Sequence, residues 1–255
     1  MKGHAFTLVE LLVVLSIITL LLALSLPSLS SAKQKSNNIQ SLSVLRQLMT
    51  ATTMYCDDNR DYYPYFGTPG DPTGSLMIQG FDLRSKHQEY FSAHSQFWTS
   101  LLYPHYFTST NDLISDEVHR DKYIKHGYPD FIIPSIYLFT HTTQAAPPYW
   151  RGDDPPEDLG LYRGMRQDQI RFPSNKGIIL DGRFVVGPNA QRGSHNPDYE
   201  SGIGALEGIA DGSARLLNNW LGYFDREHVP GVRPYGALPW SPLSTTDGIY
   251  GRDFN

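Results

Sequence analysis

The stretch of sequence that decides the fold runs from Phe6 to Leu26 and reads FTLVELLVVLSIITLLLALSL. It contains 21 residues and a single charged side chain, Glu10. A helix of this length rises about 31 Å, which is close to the hydrocarbon thickness of a bilayer. The segment therefore predicts a transmembrane helix at residues 6–26, called the apolar segment below.

Two ordinary explanations of the apolar segment account for it incompletely. A secretory signal peptide has a shorter apolar stretch, followed by a cleavage site such as the one that Ser30-Ser31-Ala32 would provide. A plain membrane anchor explains the length but not Glu10, because a carboxylate inside a bilayer costs about 2.5–3.5 kcal/mol. The glutamate therefore requires a more specific explanation.

The residues around Glu10 carry a resemblance to a known family. Residues 2–27, KGHAFTLVELLVVLSIITLLLALSLP, resemble the class III signal of type IV pilins and type II secretion pseudopilins. The resemblance implies a leader at residues 1–5, which a prepilin peptidase removes by cutting between Ala5 and Phe6. It also implies an N-methylated Phe6 and a helix kink at Pro27. Ala5 departs from the glycine that is usual before the cut.

Glu10 has a physical role in such a protein. Cleavage before Phe6 would create a cationic amine one helical turn from the Glu10 carboxylate. In a stack of helices, the carboxylate of one subunit could then meet the amine of its neighbour and set the axial register. The alternative is a glutamate that reaches the lipid headgroups by itself. The resemblance thus implies a structural, non-enzymatic filament subunit in which Glu10 serves assembly.

The helical pattern continues beyond the apolar segment, over residues 27–57. Positions with a spacing of three or four form one stripe, which consists of Ile39, Leu42, Leu45, Leu48, Thr52 and Tyr55. Pro27 removes one backbone donor and is expected to bend the helix rather than end it. The helix is expected to end near Asp57-Asp58-Asn59. The stripe predicts an amphipathic helix that packs on a globular head.

Residues 58–255 are expected to form that head, in an α+β, pilin-like fold with the long helix packed on an antiparallel sheet. A variable, loop-rich insert is expected at about 66–171 and a C-terminal tail at 219–255. Within the insert, residues 96–107 predict a short helix capped by Ser95. Residues 131–140 predict an edge strand, because Pro134 interrupts them.

Two Asp-Gly pairs predict β-hairpins at about 176–218, since Asp-Gly suits a type I′ turn. For Asp211-Gly212, a two-residue loop would pair Ile209 with Ala214. The face toward the helix would then hold Ile209, Ala214 and Leu216, while Gly208 and Arg215 would face outward. A second hairpin is predicted at Asp181-Gly182. His195, upstream of Asp211-Gly212, is similar to the His…Asp-Gly unit of many pilin-like proteins.

Candidate ligands and reactive groups are few. Calcium is the one cofactor that the resemblance suggests, with Asp198, Glu200 and Asp211 as candidate ligands. Signatures of serine hydrolases, zinc proteases and P-loop proteins are absent from the sequence, so no catalytic residue is predicted. The scattered histidines, such as His94, are expected at the surface. The single cysteine, Cys56, excludes an intrachain disulfide and is expected to be a small buried residue.

Charge and resemblance together define the expected partners. The chain has 21 basic and 26 acidic residues, a net charge of −5, and no basic cluster that would indicate nucleic-acid binding. The resemblance implies other pilin or pseudopilin subunits, prepilin peptidase, an inner-membrane assembly platform and the lipid bilayer as partners. It also implies a single-pass protein of the cytoplasmic membrane, with its head in the periplasm or at the cell surface. The alternative is an extracytoplasmic binding or enzymatic domain that uses the helix only as a tether.

Overall fold

The computed structural model describes residues 8–107, 123–151, 157–181, 205–217 and 247–253. The contacts divide the chain into two compact units, residues 1–41 and 42–255. The predicted domain boundaries stay predictions.

Helix α1, Leu8–Asp58, contains the whole described part of the first unit and the start of the second. It has 51 residues, no glycine and one proline, at position 27, and leucine is its commonest residue. The helix runs through position 27, so the prediction that this proline does not end it is confirmed, while the kink expected at Pro27 stays a prediction. The predicted end near residues 57–59 is also confirmed.

The chemistry that ends α1 is local. Arg60 and Asp61 both adopt left-handed backbone conformations, with φ of 57° and 67°. The Asp61 N–H donates to the Cys56 carbonyl at 2.8 Å, and the Asn59 side-chain amide donates to the Tyr55 carbonyl at 2.8 Å. These bonds satisfy the last carbonyls of the helix, as in a Schellman cap.

The second unit contains a four-stranded antiparallel sheet. Its strands are β3 (Tyr137–Phe139), β4 (Gly177–Asp181), β5 (Ala205–Ile209) and β6 (Ala214–Leu217), in the order β3-β4-β5-β6. An earlier pair, β1 (Met77–Ile78) and β2 (Phe81–Asp82), forms a separate two-stranded ribbon. The long N-terminal helix and the antiparallel sheets give a mixed α+β fold, which is consistent with the predicted pilin-like fold.

The insert is more ordered than its composition suggests. Helices α2 (Tyr90–Phe97) and α3 (Thr99–Leu102) cover part of the helix predicted at 96–107. Ser95 lies inside α2 and its hydroxyl donates to the Phe139 carbonyl at 2.8 Å, so its prediction as a cap was wrong. The strand predicted at 131–140 is limited to the three residues of β3, and it does lie at a sheet edge.

The hairpin at Asp211-Gly212 is present, but its register differs from the prediction. The loop has three residues, because the Ile209 N–H donates to the Ser213 carbonyl at 2.8 Å. Within the loop, Gly212 takes a left-handed φ of 87°. This is a type I turn followed by a glycine bulge, which shifts the register by one position. Gly208 therefore pairs with Ala214. The expected pairing of Ile209 with Ala214 was wrong.

The shift in register changes which face of β5 meets the helix. A Cβ atom at Gly208 would lie 2.8 Å from Cγ of Met49, so Gly208 faces α1. The prediction that Gly208 faces outward was therefore wrong. Ile209 alternates with Gly208 along the strand and belongs to the opposite face, where it is also fully buried.

Two clusters of buried side chains form the core of the second unit. The first joins the end of α1 to the sheet and includes Leu45, Leu48, Met49, Cys56, Ile179, Leu206 and Ala214. The prediction that Cys56 is buried is confirmed. The second cluster is aromatic, and its fully buried members include Tyr90, Phe91, Phe97, Tyr149 and Trp150. The insert that the sequence presented as loops thus contains a core of its own.

Candidate assembly helix and buried charge cluster

The first candidate site is the apolar part of α1. Its most apolar stretch has a mean hydropathy of 2.7, and none of that stretch is buried against the part of the chain that the structure describes. Leucine, isoleucine and valine side chains are exposed all around the helix; Leu15, for example, is 52% exposed. A continuous apolar surface of this size needs lipid or other helices to cover it.

The few polar side chains of this part of α1 are compatible with a bilayer. The hydroxyls of Ser16, Thr19 and Ser25 donate to the carbonyls of Val13, Ser16 and Leu21 at 2.8–2.9 Å. These three are the only uncharged polar side chains between residues 8 and 26. Each hydroxyl proton is therefore satisfied inside the helix and needs no water.

Glu10 lies in the first turn of α1 and is exposed. It is the one charged side chain between residues 8 and 26. A negative charge is favourable there, because the N–H groups of the first turn carry the positive end of the helix dipole. The site residues Ala5 and Phe6 lie outside the described residues. Cleavage and methylation at these two positions stay predictions.

The calcium prediction is also untested. Asp198 and Glu200 lie outside the described residues, as do His195 and Gly182. Asp211 is exposed at the hairpin turn, where its Oδ1 accepts the Ser213 N–H at 2.9 Å. Within the described ranges, no three His, Cys, Asp or Glu side chains gather closely enough to hold a metal ion.

The histidine prediction was wrong for His94, which is fully buried. Its ring stacks on Phe66 with centroids 4.1 Å apart, and Nδ1 lies 2.7 Å from the Tyr90 carbonyl. Its Nε2 accepts the Phe66 N–H at 3.3 Å, so the proton belongs on Nδ1. Burial lowers the pKa of His94 from 6.5 to about 3. His94 is therefore a neutral structural residue of the aromatic cluster.

The second candidate site was not found from the sequence. It consists of Lys176, Glu207 and Asp253, called the buried charge cluster below, and all three side chains are fully buried. Lys176 directly precedes β4, Glu207 lies in the middle of β5, and Asp253 belongs to the C-terminal segment 247–253. Two acids and one base thus share an interior site, an arrangement that a protein tolerates only with close pairing.

Lys176 and Asp253 form the ion pair of the cluster. The Lys176 Nζ lies 3.3 Å from both carboxylate oxygens of Asp253 and donates to the Gly248 carbonyl at 2.9 Å. Asp253 Oδ2 also accepts the Gly177 N–H at 2.8 Å, and the Asp253 N–H donates to the Asn175 carbonyl at 2.8 Å. Asp253 is thus hydrogen-bonded to Asn175 and Gly177, the two residues that flank Lys176 in the chain.

Glu207 is held differently. Neither of its carboxyl oxygens has a hydrogen-bond partner among the described residues. Burial raises the pKa of Glu207 well above its usual range, and the nearby Asp253 raises it further, while Arg215 and Lys176 act in the opposite direction. Burial therefore favours the protonated form of Glu207. Two features of the sequence could have indicated the cluster. Lys176 directly precedes an apolar run at residues 177–180, and Glu207 lies inside an apolar run at residues 205–210.

Comparison with known proteins bears on the first site only. Residues 1–26 match the prokaryotic N-terminal methylation motif, which is the class III prepilin signal of type IV pilins and pseudopilins. No curated protein and no solved structure matches the chain. The match confirms the resemblance seen around Glu10 and supports a type IV pilin-like protein that is anchored in a membrane. Proteins of this type are structural and usually not enzymes.

Proposed function

We propose that this chain is a structural subunit, a pilin or pseudopilin, of a type IV pilus-like or type II secretion filament. In this proposal a prepilin peptidase cuts between Ala5 and Phe6, and the new Phe6 amine is methylated. The observation that carries the proposal is the match of residues 1–26 to the N-terminal methylation motif. The proposed partners are other pilin or pseudopilin subunits, an inner-membrane assembly platform and the bilayer.

The described part of α1 supports this assignment. Its apolar side chains are exposed, and its three hydroxyls bond to the helix itself, so it suits both lipid and a bundle of identical helices. Glu10 is the one charged side chain between residues 8 and 26, and in the proposed filament its carboxylate pairs with a cation of a neighbouring subunit. The Phe6 amine of that neighbour is a cation of the right kind, created only by cleavage. Processing and assembly would thereby be linked.

The proposed location follows from the same arrangement. The helix anchors the precursor in the cytoplasmic membrane, and the head of the second unit lies in the periplasm or, after assembly, at the cell surface. In an extracytoplasmic compartment a protein with one cysteine has no intrachain disulfide to stabilise it. The head relies instead on its two buried clusters and the buried charge cluster.

Mass spectrometry of the N-terminus tests the proposal. The full chain is expressed in cells with an active prepilin peptidase and in matched cells without it, and is purified from the membrane fraction. We expect a methylated Phe6 terminus in the first case and an intact leader in the second. An uncut Met1 in both, or a cut after Ala32, would contradict the proposal. Replacing Ala5 with a large residue such as Leu should block the cut, whereas replacing Ser30 should not.

A further inference from the structure

The buried charge cluster combines an amine with two carboxyl groups at a site where none of the three side chains is exposed. We propose that Lys176 and Asp253 become joined by an intramolecular amide bond between Nζ and Cγ, with Glu207 transferring the protons. The inference concerns the head alone and does not depend on filament assembly. It would make the C-terminal segment 247–253 a covalent part of the sheet.

The first argument is the geometry of the two reacting groups. The Lys176 Nζ is equidistant, at 3.3 Å, from the two oxygens of Asp253. The carboxyl carbon that both oxygens share is therefore within reach of the nitrogen. Hydrogen bonds to Asn175 and Gly177 hold Asp253 in place, and the Lys176 Nζ donates a hydrogen bond to the Gly248 carbonyl at 2.9 Å. Reactants held in this way are already positioned for attack.

The second argument is the stabilisation of the charge that develops during attack. When nitrogen adds to Cγ of Asp253, negative charge grows on a carboxyl oxygen. The Gly177 N–H already donates to Oδ2 at 2.8 Å. A fixed backbone donor at that oxygen stabilises a tetrahedral intermediate without any rearrangement.

The third argument is the protonation of the cluster. Amide formation needs a neutral amine and a neutral acid. Transfer of one proton from the Lys176 ammonium to the Asp253 carboxylate within the ion pair gives both neutral forms at once, and burial favours these uncharged forms. Burial and the nearby Asp253 raise the pKa of Glu207 well above its usual range, which favours its protonated form. Neither oxygen of Glu207 is hydrogen-bonded among the described residues, so its carboxyl group is free of other hydrogen bonds but must turn toward the reacting pair before it passes a proton.

The reaction balances without any other reagent. The amine nitrogen of Lys176 forms a bond to Cγ of Asp253, and the C–OH bond of the acid breaks. Glu207 gives its proton to the leaving hydroxyl and takes one from the nitrogen, so it ends as it began. The products are one amide and one water molecule. No electron is transferred, and no oxidant or cofactor is needed.

The surroundings indicate what the bond would do. The C-terminal segment is also held by the ion pair of Arg151 with Asp247 and by Gly248, where Trp150 leaves no room for a side chain. An amide between positions 77 residues apart would close a long loop and restrict the unfolded chain, as a disulfide does. Unlike a disulfide, it would need no second cysteine and would resist reduction.

Mass spectrometry of the folded, full-length wild-type protein tests the proposal. We expect an intact mass that is lower by one water molecule than the sequence requires. Trypsin should then release a branched peptide in which residues 172–183 are joined to residues 253–255, since an acylated Lys176 is not cut. Asp-Gly sites also lose water when they cyclise, so the branched peptide, not the mass alone, decides. Folded wild-type protein without that peptide would overturn the proposal.

Variants test the role of Glu207. Glu207→Gln removes the proton-transfer group with little change of shape, and the branched peptide should fall at least tenfold. Glu207→Asp keeps a carboxyl group and should restore part of the yield, which a purely structural role does not predict. Glu157→Gln, at an exposed glutamate, is the matched control and should give the wild-type yield. A wild-type yield from Glu207→Gln would overturn the proton-transfer role.

Discussion

The apolar segment and the sheet of the head distribute their side chains in opposite ways. In the helix, leucines such as Leu15 are exposed and the hydroxyls turn inward to the backbone. In the head, a lysine, a glutamate and an aspartate are buried among apolar strands. The apolar surface of the helix therefore needs lipid or other helices to cover it, since no described part of the chain does so. The head covers its apolar side chains with its own strands and helices, and its buried Lys176 and Asp253 form an ion pair with each other.

This difference shows which region depends on other molecules for its stability. A helix with an uncovered apolar surface gains stability only from lipid or neighbouring helices. The head gains it from the contact of α1 with the sheet and from the aromatic cluster. Substitutions in the helix should therefore change assembly, while substitutions in the head should change folding. The predictions below separate the two regions, beginning with the largest effect.

The largest effect is expected at Glu10. Glu10→Leu should abolish filament formation, because no carboxylate remains to pair with the amine of a neighbouring subunit. Membrane insertion and the folding of the head should be unchanged. Electron microscopy and sedimentation of sheared filaments measure assembly, and membrane fractionation measures insertion. Ser16→Leu, on the same exposed helix, is the control and should still assemble. Filaments at the wild-type level from Glu10→Leu would show that the helix is only a tether.

The next effect is expected where α1 packs on the sheet. Leu45→Ala should destabilise the head by about 2–5 kcal/mol. The Leu45 side chain is fully buried, so its removal leaves a cavity in the core. Urea unfolding of the full chain in detergent, followed by tryptophan fluorescence, measures the loss. Met54→Ala lies on the same helix but is 51% exposed, so it should change stability far less. Equal losses in the two variants would contradict the described packing.

A smaller effect is expected at Gly208. Gly208→Ala should cost about 1–3 kcal/mol, because the new methyl group would overlap Cγ of Met49. The loss of stability caused by Gly208→Ala should be smaller in a Met49→Ala background, because the Met49 atoms that the new methyl group would overlap are then absent. A double-mutant cycle of unfolding free energies measures this coupling. Additive effects of the two substitutions would indicate that Gly208 faces away from the helix.

The smallest effect concerns pH and His94. The unfolded histidine takes up a proton below pH 6.5, while the buried one does so only near pH 3. The stability that the neutral ring contributes is therefore complete above pH 6.5 and is lost on acidification, by about 1.4 kcal/mol per pH unit at most. His94→Phe should lose this part of the pH dependence. His105→Phe, at an exposed histidine, should keep it. Unfolding free energies at pH 7 and pH 5 test the difference.

Several features of the fold could be predicted because they depend on neighbours in sequence. The end of α1 follows from Asn59, whose side chain bonds the Tyr55 carbonyl, and from the left-handed conformations of Arg60 and Asp61. The turn at Asp211-Gly212 follows from the left-handed conformation that glycine permits. The register of that hairpin did not follow, since two-residue and three-residue loops suit the same dipeptide. Packing of Gly208 on Met49 is compatible with the three-residue loop.

Other features could not be predicted because they depend on residues far apart in the chain. The aromatic cluster joins α2 to Tyr149 and Trp150 across a stretch that reads as loops. The ion pair of Lys176 with Asp253 joins positions 77 residues apart. No local sequence pattern predicts that Lys176 and Asp253 will contact each other, because only the packing of the intervening strands brings them together.

The sequence by itself determined the apolar segment, the place of Glu10 within it, the methylation motif and the length of the helix. These properties are set by composition, spacing and backbone propensity, which act over a few residues. The strand register, the burial of His94 and the shared burial of Lys176, Glu207 and Asp253 follow only from the tertiary structure. These are set by which surfaces exclude water together, and that is a property of the whole folded head.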